Sequence, residues 1–143
     1  MHKTRISIIL ITYNHESVIQ DCISSLLEQS VDYELIVIDD ASTDSTVEII
    51  KNSDFKKMKI HVNKINNGIE NLYKNYNQGL ALVETEYVCI LEGDDFWERT
   101  KLQEQLEYLQ KRDVDVLAVE GIYHTQIPNI ASKQTKMIRS QLD

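Results

Sequence analysis

Apolar residues fall into two alternating patterns along the chain. Short runs rich in β-branched residues, at Ile6–Ile11, Glu34–Ile38, Lys59–Val62, Tyr87–Leu91 and Val114–Val119, read as strands. Three of them are nearly continuous Ile, Val and Leu, the composition of strands covered on both faces of a parallel sheet. Segments of helical period lie between. Val18, Ile19, Cys22, Ile23, Leu26 and Leu27 form one stripe, and Asn14 is placed to cap its start. A short helix is expected around Asp44–Lys51, opened by Ser42-Thr43-Asp44-Ser45. A third carries Ile69, Leu72, Tyr73, Tyr76, Leu80 and Val83 at spacings of three and four. A fourth begins at Thr100, where Thr-Lys-Leu-Gln reads as a capping box, and is expected to bury Leu102, Leu106 and Leu109. The order β-α-β-α-β-α-β-α-β predicts an α/β fold: a Rossmann-like three-layer α/β/α arrangement with a mostly parallel sheet and right-handed crossovers.

Length and charge narrow the picture. The 143 residues suit one domain and hold 23 acidic against 15 basic side chains, a net charge of −8. That balance argues against nucleic acid as partner, because such a binder presents a basic face. Residues 1–124 are expected to form the α/β domain. Residues 125–143 read as a polar tail or the start of a further region, with Lys133, Lys136 and Arg139 against Asp143, so the acidity belongs to the α/β part. The opening resembles a leader only briefly, since Asn14, His15 and Glu16 end its apolar run without a small-residue cleavage site. No stretch reaches the ~18 apolar residues that span a bilayer. Cys22 and Cys89, isolated and in apolar contexts, suit reduced thiols and a cytoplasmic compartment.

In open α/β sheets, ligands bind beyond the carboxyl ends of the strands, so the residues there matter most. Thr12-Tyr13-Asn14 follows the first strand and Asp39-Asp40-Ala41-Ser42-Thr43-Asp44 the second. Asn63-Lys64-Ile65-Asn66-Asn67-Gly68 follows the third, and Glu92-Gly93-Asp94-Asp95-Phe96-Trp97 the fourth. Two carboxylate clusters at one rim repel unless a cation joins them, and oxygen-rich sites suit Mg²⁺ or Mn²⁺, which keep positions open for phosphate oxygens. Tyr13 offers a stacking face beside them. The composite predicts a site for a nucleoside diphosphate bridged to the protein by metal. Asp44 and Ser42 suit helix capping instead. His2, His15, His61 and His124 have no metal-site spacing and receive no role; Phe96 and Trp97 are expected to pack under the loop that follows the acids. A receiver-like Mg²⁺-binding signalling domain is the alternative of similar size. It needs its acid pair after the first strand and a Lys after the fifth, where this chain has Ala118-Val119-Glu120. Neither G-x-G-x-x-G nor G-x-x-x-x-G-K is present, which disfavours dinucleotide-binding and P-loop enzymes.

At these residues the chain resembles the donor-binding half of the family 2, A-type glycosyltransferases. Ile-Ser-Ile-Ile-Leu-Ile-Thr-Tyr-Asn is similar to their first strand, Ile-Val-Ile-Asp-Asp-Ala-Ser-Thr-Asp-Ser-Thr to their second-strand signature, and Leu91-Glu92-Gly93-Asp94-Asp95-Phe96-Trp97 to their metal motif in its Glu-first variant. Asn67-Gly68, Asn77-Gln78-Gly79 and Lys101-Leu102-Gln103-x-Gln105-Leu106 also resemble the family. The resemblance covers about residues 4–120. It implies that Tyr13 flanks the base with Thr12 and Asn14 beside it, that Asp40 and Asp39 bond base and ribose, and that Asp94, with Asp95, ligates the metal. Glu92 would reach metal or ribose indirectly. Tyr76 stands where many members carry an Arg, leaving Lys74 as the substitute phosphate contact. It implies an inverting transfer from a nucleoside diphosphate sugar, a UDP-sugar first among them, to a saccharide or lipid-linked acceptor. The setting would be cell-surface polysaccharide synthesis on the inner side of the membrane. No residue is assigned as the catalytic base, and a homodimer is left open. A nucleotide-binding fragment without turnover is the third reading.

Overall fold

The computed structural model describes residues 5–112, 116–117, 121–122 and 134–135. These belong to two compact units, Met1–Glu104 and Gln105–Asp143. The boundary expected between residues 124 and 125 falls outside the described residues. So do Glu120 and His124.

In the first unit, β1 (Ile6–Thr12), β2 (Tyr33–Asp39), β3 (Met58–Val62) and β4 (Tyr87–Glu92) form one parallel sheet in the order β3-β2-β1-β4. Their connections carry α1 (Ile19–Leu27), α2 (Thr46–Lys51) and, after a 3-10 turn at Ile69–Asn71, α3 (Leu72–Ala81). Continuous apolar sequence becomes continuous burial where neighbours cover both faces. All seven residues of β1 are buried, and so are the last five of β2. Ile9, Ile11, Ile36 and Ile38 share one face, against which Leu72 and Tyr76 pack from α3 and Val83 from just beyond its end. The approach is close enough that a Cβ on Gly79 would lie 2.5 Å from Ile9 Cγ2.

The chain steps outward from β1 through α1 to β2 and through α2 to β3, then crosses back through α3 to β4 on the other side of β1. Right-handed crossovers in opposite directions put α3 on the face opposite α1 and α2. The switch point of the sheet therefore lies between the carboxyl ends of β1 and β4.

Several expected details differ. α1 starts at Ile19 after Val18, without a side-chain cap, so Asn14 is not its cap, and Leu27 is exposed. The buried face of α3 runs through Leu72, Asn75, Tyr76 and Gly79 and continues to Val83 beyond its end, leaving Tyr73, Leu80 and, in the 3-10 turn, Ile69 exposed. The 3-10 turn sets that phase, because its three residues per turn displace Ile69 from the helical stripe. β4 alternates rather than reading as a buried run, with Val88 and Ile90 exposed, since it is an edge strand among the described residues. α4 (Lys101–Lys111) buries Leu102 fully, whereas Leu106 and Leu109 are half-buried. The strand expected at Val114–Val119 falls mostly outside the described residues, and Val116 and Leu117, which are described, carry no regular structure. The second unit also holds a short antiparallel pair, β5 (Gly121–Ile122) with β6 (Gln134–Thr135).

Candidate functional site

Three backbone hydrogen bonds carry the sheet ladder past the strand ends: Asp40 N to Thr12 O, Asn63 N to Asp39 O and Gly93 N to Ile11 O, each 2.8 Å. The loops that follow are thereby registered against one another before any side chain acts.

The loop after β1 is tied to the loop after β2 by reciprocal bonds. The Asn14 amide donates to Ser42 Oγ at 2.9 Å, and the Thr43 amide donates to Asn14 Oδ1 at 2.8 Å. The Glu16 amide donates to Asp44 Oδ2 at 3.0 Å, and the Ser45 amide to Glu16 Oε2 at 2.9 Å. The His15 amide donates to Thr46 Oγ1 at 2.8 Å. Asn14 adopts a left-handed conformation, φ 52°, which Asn tolerates better than most residues. Asn14 is thus a bridge between loops, and Tyr13 is held out with 42% of its surface exposed. Thr12 is buried beneath it, its Oγ1 3.2 Å from His15 Nδ1.

The two adjacent aspartates do different work. Asp39 is fully buried, and its carboxylate accepts from the Ser42 amide and hydroxyl, shaping the loop. Asp40 is 4% exposed and anchors the loop after β3. It accepts from Asn63 Nδ2 at 2.8 Å, from the Asn67 amide at 3.0 Å to both oxygens, and from the Gly68 amide at 3.3 Å. Asn75 Oδ1, in α3, accepts from Asn63 and Asn67 in turn. Burial pushes the Asp40 carboxyl up, but the bonds from Asn67, Asn63 and Gly68, with the Asn75 side-chain amide nearby, outweigh it and leave its pKa below the ordinary value. Asp44 accepts from the Thr46 amide at 3.0 Å, the first residue of α2, which is the capping expected of it; Ser42 instead joins Asp39 to Asn14.

Across the switch point, Glu92 is half-buried and accepts a hydrogen bond from the Tyr76 hydroxyl. Burial raises its pKa and the neighbouring Asp94 and Asp95 raise it further, while the Tyr76 bond and His15 oppose. Burial and that same bond push Tyr76 up to about 12. Asp94 and Asp95 are exposed; the Asp95 carboxyl is raised by burial and by Asp94, with His15 opposing. Gly93 lets this loop lie against β1. A Cβ there would meet His15 Nδ1 at 2.5 Å and Thr12 Oγ1 at 2.7 Å.

The structure therefore brings Thr12, Tyr13, Glu92, Asp94 and Asp95 to one switch point. It buries Asp39 and most of Asp40 inside the loop network. Lys74 is exposed on α3, its ammonium 6.0 Å from the Tyr73 ring, and the α3 side chain that reaches the acidic loop is Tyr76. Phe96 is 49% exposed rather than packed beneath the loop, and Trp97 is half-buried with Lys101 Nζ 3.9 Å from its ring centre. Spacing gives His15 no role, yet it lies beside the acids, because contact with Gly93 is made through the fold. The asparagines Asn63, Asn67 and Asn75 were likewise legible only as a polar string.

Among the described residues no three metal-ligating side chains gather into a cation cage. What is present fits a divalent ion of the other kind: exposed adjacent carboxylates at a strand end, with mutually unfavourable charge and room for further oxygen ligands.

The family model for glycosyl transferase family 2 matches residues 7–142. The chain belongs to that family. TuaG of Bacillus subtilis, a glycosyltransferase named for teichuronic acid biosynthesis, is 33% identical over 119 residues, covering 77% of this chain and 44% of TuaG. The poly(ribitol-phosphate) β-N-acetylglucosaminyltransferase TarS of Staphylococcus aureus is 27% identical over 136 residues, covering 92% of this chain and 24% of TarS. The chain thus spans less than half the length of these relatives. The crystal structure of TarS residues 1–349 with UDP-GlcNAc aligns at a TM-score of 0.68 and 28% identity, over 76% of this chain and 32% of that one. The mannosyltransferase PcManGT of Pyrobaculum calidifontis, solved with GDP-Man and Mn²⁺, shares the fold at a TM-score of 0.66 and 23% identity, over 76% of this chain and 33% of that one. The fold is that of the A-type glycosyltransferases.

Proposed function

We propose that this chain is the donor-binding part of an inverting glycosyltransferase. Its donor is a nucleoside diphosphate sugar, with a UDP-sugar first, and its product belongs to cell-surface polysaccharide. The observation that carries the reading is the meeting of the exposed Tyr13 ring and the Glu92–Asp95 carboxylates at the β1/β4 switch point. One end of that crevice suits a base, the other a diphosphate with its cation. TarS, which binds UDP-GlcNAc, supports the choice of nucleotide.

In this reading Tyr13 flanks the base, with Thr12 and the Asn14 bridge fixing its loop. Asp40 contributes by holding the loop after β3, and Asp39 by holding Ser42. Lys74 lends positive charge from α3. Asp94, with Asp95, would hold Mn²⁺ or Mg²⁺, and Glu92, fixed by Tyr76, would reach metal or ribose indirectly. The bound ion supplies Lewis-acid neutralisation of charge on the departing diphosphate. In the transfer, an acceptor hydroxyl oxygen bonds to the anomeric carbon from the face opposite the leaving group. The bond from that carbon to the diphosphate oxygen breaks, and the hydroxyl proton passes to a carboxylate base. No described acid is assigned as that base. The acceptor is a saccharide or lipid-linked saccharide, met at the cytoplasmic face of a membrane. No described helix is long and apolar enough to cross one.

A thermal-shift series with UDP, GDP and CMP, each with and without Mn²⁺, tests the proposal. UDP with Mn²⁺ is expected to stabilise most, by a few kcal/mol at ~100 times its Kd. No metal-dependent stabilisation by any nucleotide would sink it. Binding without donor hydrolysis or transfer would leave a binding module only.

A further inference from the structure

The acidic loop is anchored at its near end by the Gly93 bond to β1, and its far end is held by a residue distant in sequence. Gln29, which follows α1, is 9% exposed, and its amide is used on both sides. Its Nε2 donates to Glu98 O at 2.9 Å and to Ser25 O at 3.0 Å, and its Oε1 accepts from the Leu102 amide at 3.1 Å. The Leu102 amide is among the first of α4, which have no partner within their own helix. Gln29 thus caps that amide from beyond the end of α1. Ser30 Oγ, 2.9 Å from Gln103 Oε1, adds a second link between the same two helix ends.

We propose that Gln29 is a positioning residue for the metal-binding loop. By fixing the Glu98 carbonyl and the start of α4, it sets where Asp94 and Asp95 stand relative to β1. The inference rests on the reading that those carboxylates hold the cation. Only an amide can satisfy both sides: it offers two N–H donors to two carbonyls and one acceptor to an amide. Glutamate would set an acceptor against two carbonyls. An apolar side chain would take this partner from the Leu102 amide and the Ser25 carbonyl, and would leave Glu98 O with the Lys101 amide alone.

The test compares the 143-residue chain with Gln29→Met, of similar length without polar atoms, and Gln29→Asn, which keeps the amide one methylene short. Two readouts are taken at a temperature where circular dichroism shows each chain folded. Hydrogen exchange at the amides of residues 93–102 is expected to quicken on the order of tenfold in Gln29→Met, with β1 and β2 unchanged. UDP affinity measured with Mn²⁺ is expected to fall on the order of tenfold, and without Mn²⁺ to stay as it was. Gln29→Asn should lie between. If the wild-type chain binds no UDP with Mn²⁺, the functional reading fails, while exchange still decides whether Gln29 holds the loop. Unchanged exchange across 93–102, an equal loss of affinity with and without metal, or loss of fold in both variants overturns the proposal.

Discussion

The burial of Asp40 separates two roles that its sequence motif leaves merged. Asp40→Asn keeps shape and volume but replaces one oxygen by an amide that can only donate. The carboxylate now receives Asn63 Nδ2 on Oδ1, the Asn67 amide on both oxygens and the Gly68 amide on Oδ2. With the amide oxygen turned to the Asn67 and Gly68 amides, its nitrogen faces Asn63 Nδ2, donor against donor. One charge-assisted bond is lost and the others become neutral, a loss of about 2–3 kcal/mol. At a urea m-value of ~2 kcal/mol/M, the unfolding midpoint should drop by about 1 M, followed by circular dichroism. The acid limb of stability provides a second measure. A carboxyl whose folded pKa lies below its unfolded value, here an ordinary 3.8, adds stability fully present above that value and lost as pH falls through the folded one. Wild-type stability should therefore decline below about pH 4, and Asp40→Asn should flatten that decline. An unchanged midpoint with UDP binding abolished would refute the reasoning, since it would make Asp40 a ligand contact and not a strut.

Gly93→Ala places a methyl 2.5 Å from His15 Nδ1 and 2.7 Å from Thr12 Oγ1, so the acidic loop must lift; we expect a loss of about 1–3 kcal/mol in thermal unfolding and a weaker Mn²⁺–UDP titration. Gly79→Ala should destabilise despite a helix-propensity gain of ~1 kcal/mol, because its Cβ would press into buried Ile9; urea unfolding decides, and a net gain would show that α3 can shift outward. Asp94→Asn, at an exposed site, should change unliganded stability by less than about 0.5 kcal/mol yet remove the Mn²⁺-dependent part of UDP stabilisation in a thermal-shift assay. Glu92 and Asp95 have raised pKa values, so Mn²⁺-dependent UDP affinity should begin to fade as pH drops while ordinary carboxylates are still ionised, as isothermal titration across pH 4–7 would reveal.

The architecture was legible because its signal is local. Continuous β-branched runs alternating with helical stripes admit few solutions, and chain handedness then fixes which helices share a face. That logic placed the acids of the second and fourth strand ends beside Tyr13, since carboxyl ends of parallel strands share one rim. Side-chain roles were less legible. Asp39 and Asp40 are adjacent in sequence, yet one bonds Ser42 and the other gathers Asn63, Asn67 and Gly68, a division set by strand alternation and the return of α3.

The amino-acid order by itself determined the α/β class, the parallel sheet and the rim where the acids collect, because periodicity and strand polarity need no distant partner. The tertiary structure alone decided how the rim is held: His15 against Gly93, Tyr76 on Glu92, and Gln29 capping α4 from the end of α1. Each joins residues 16 to 78 positions apart. Hydrogen-bond partners at such separations carry no period in the chain, so only packing reveals them.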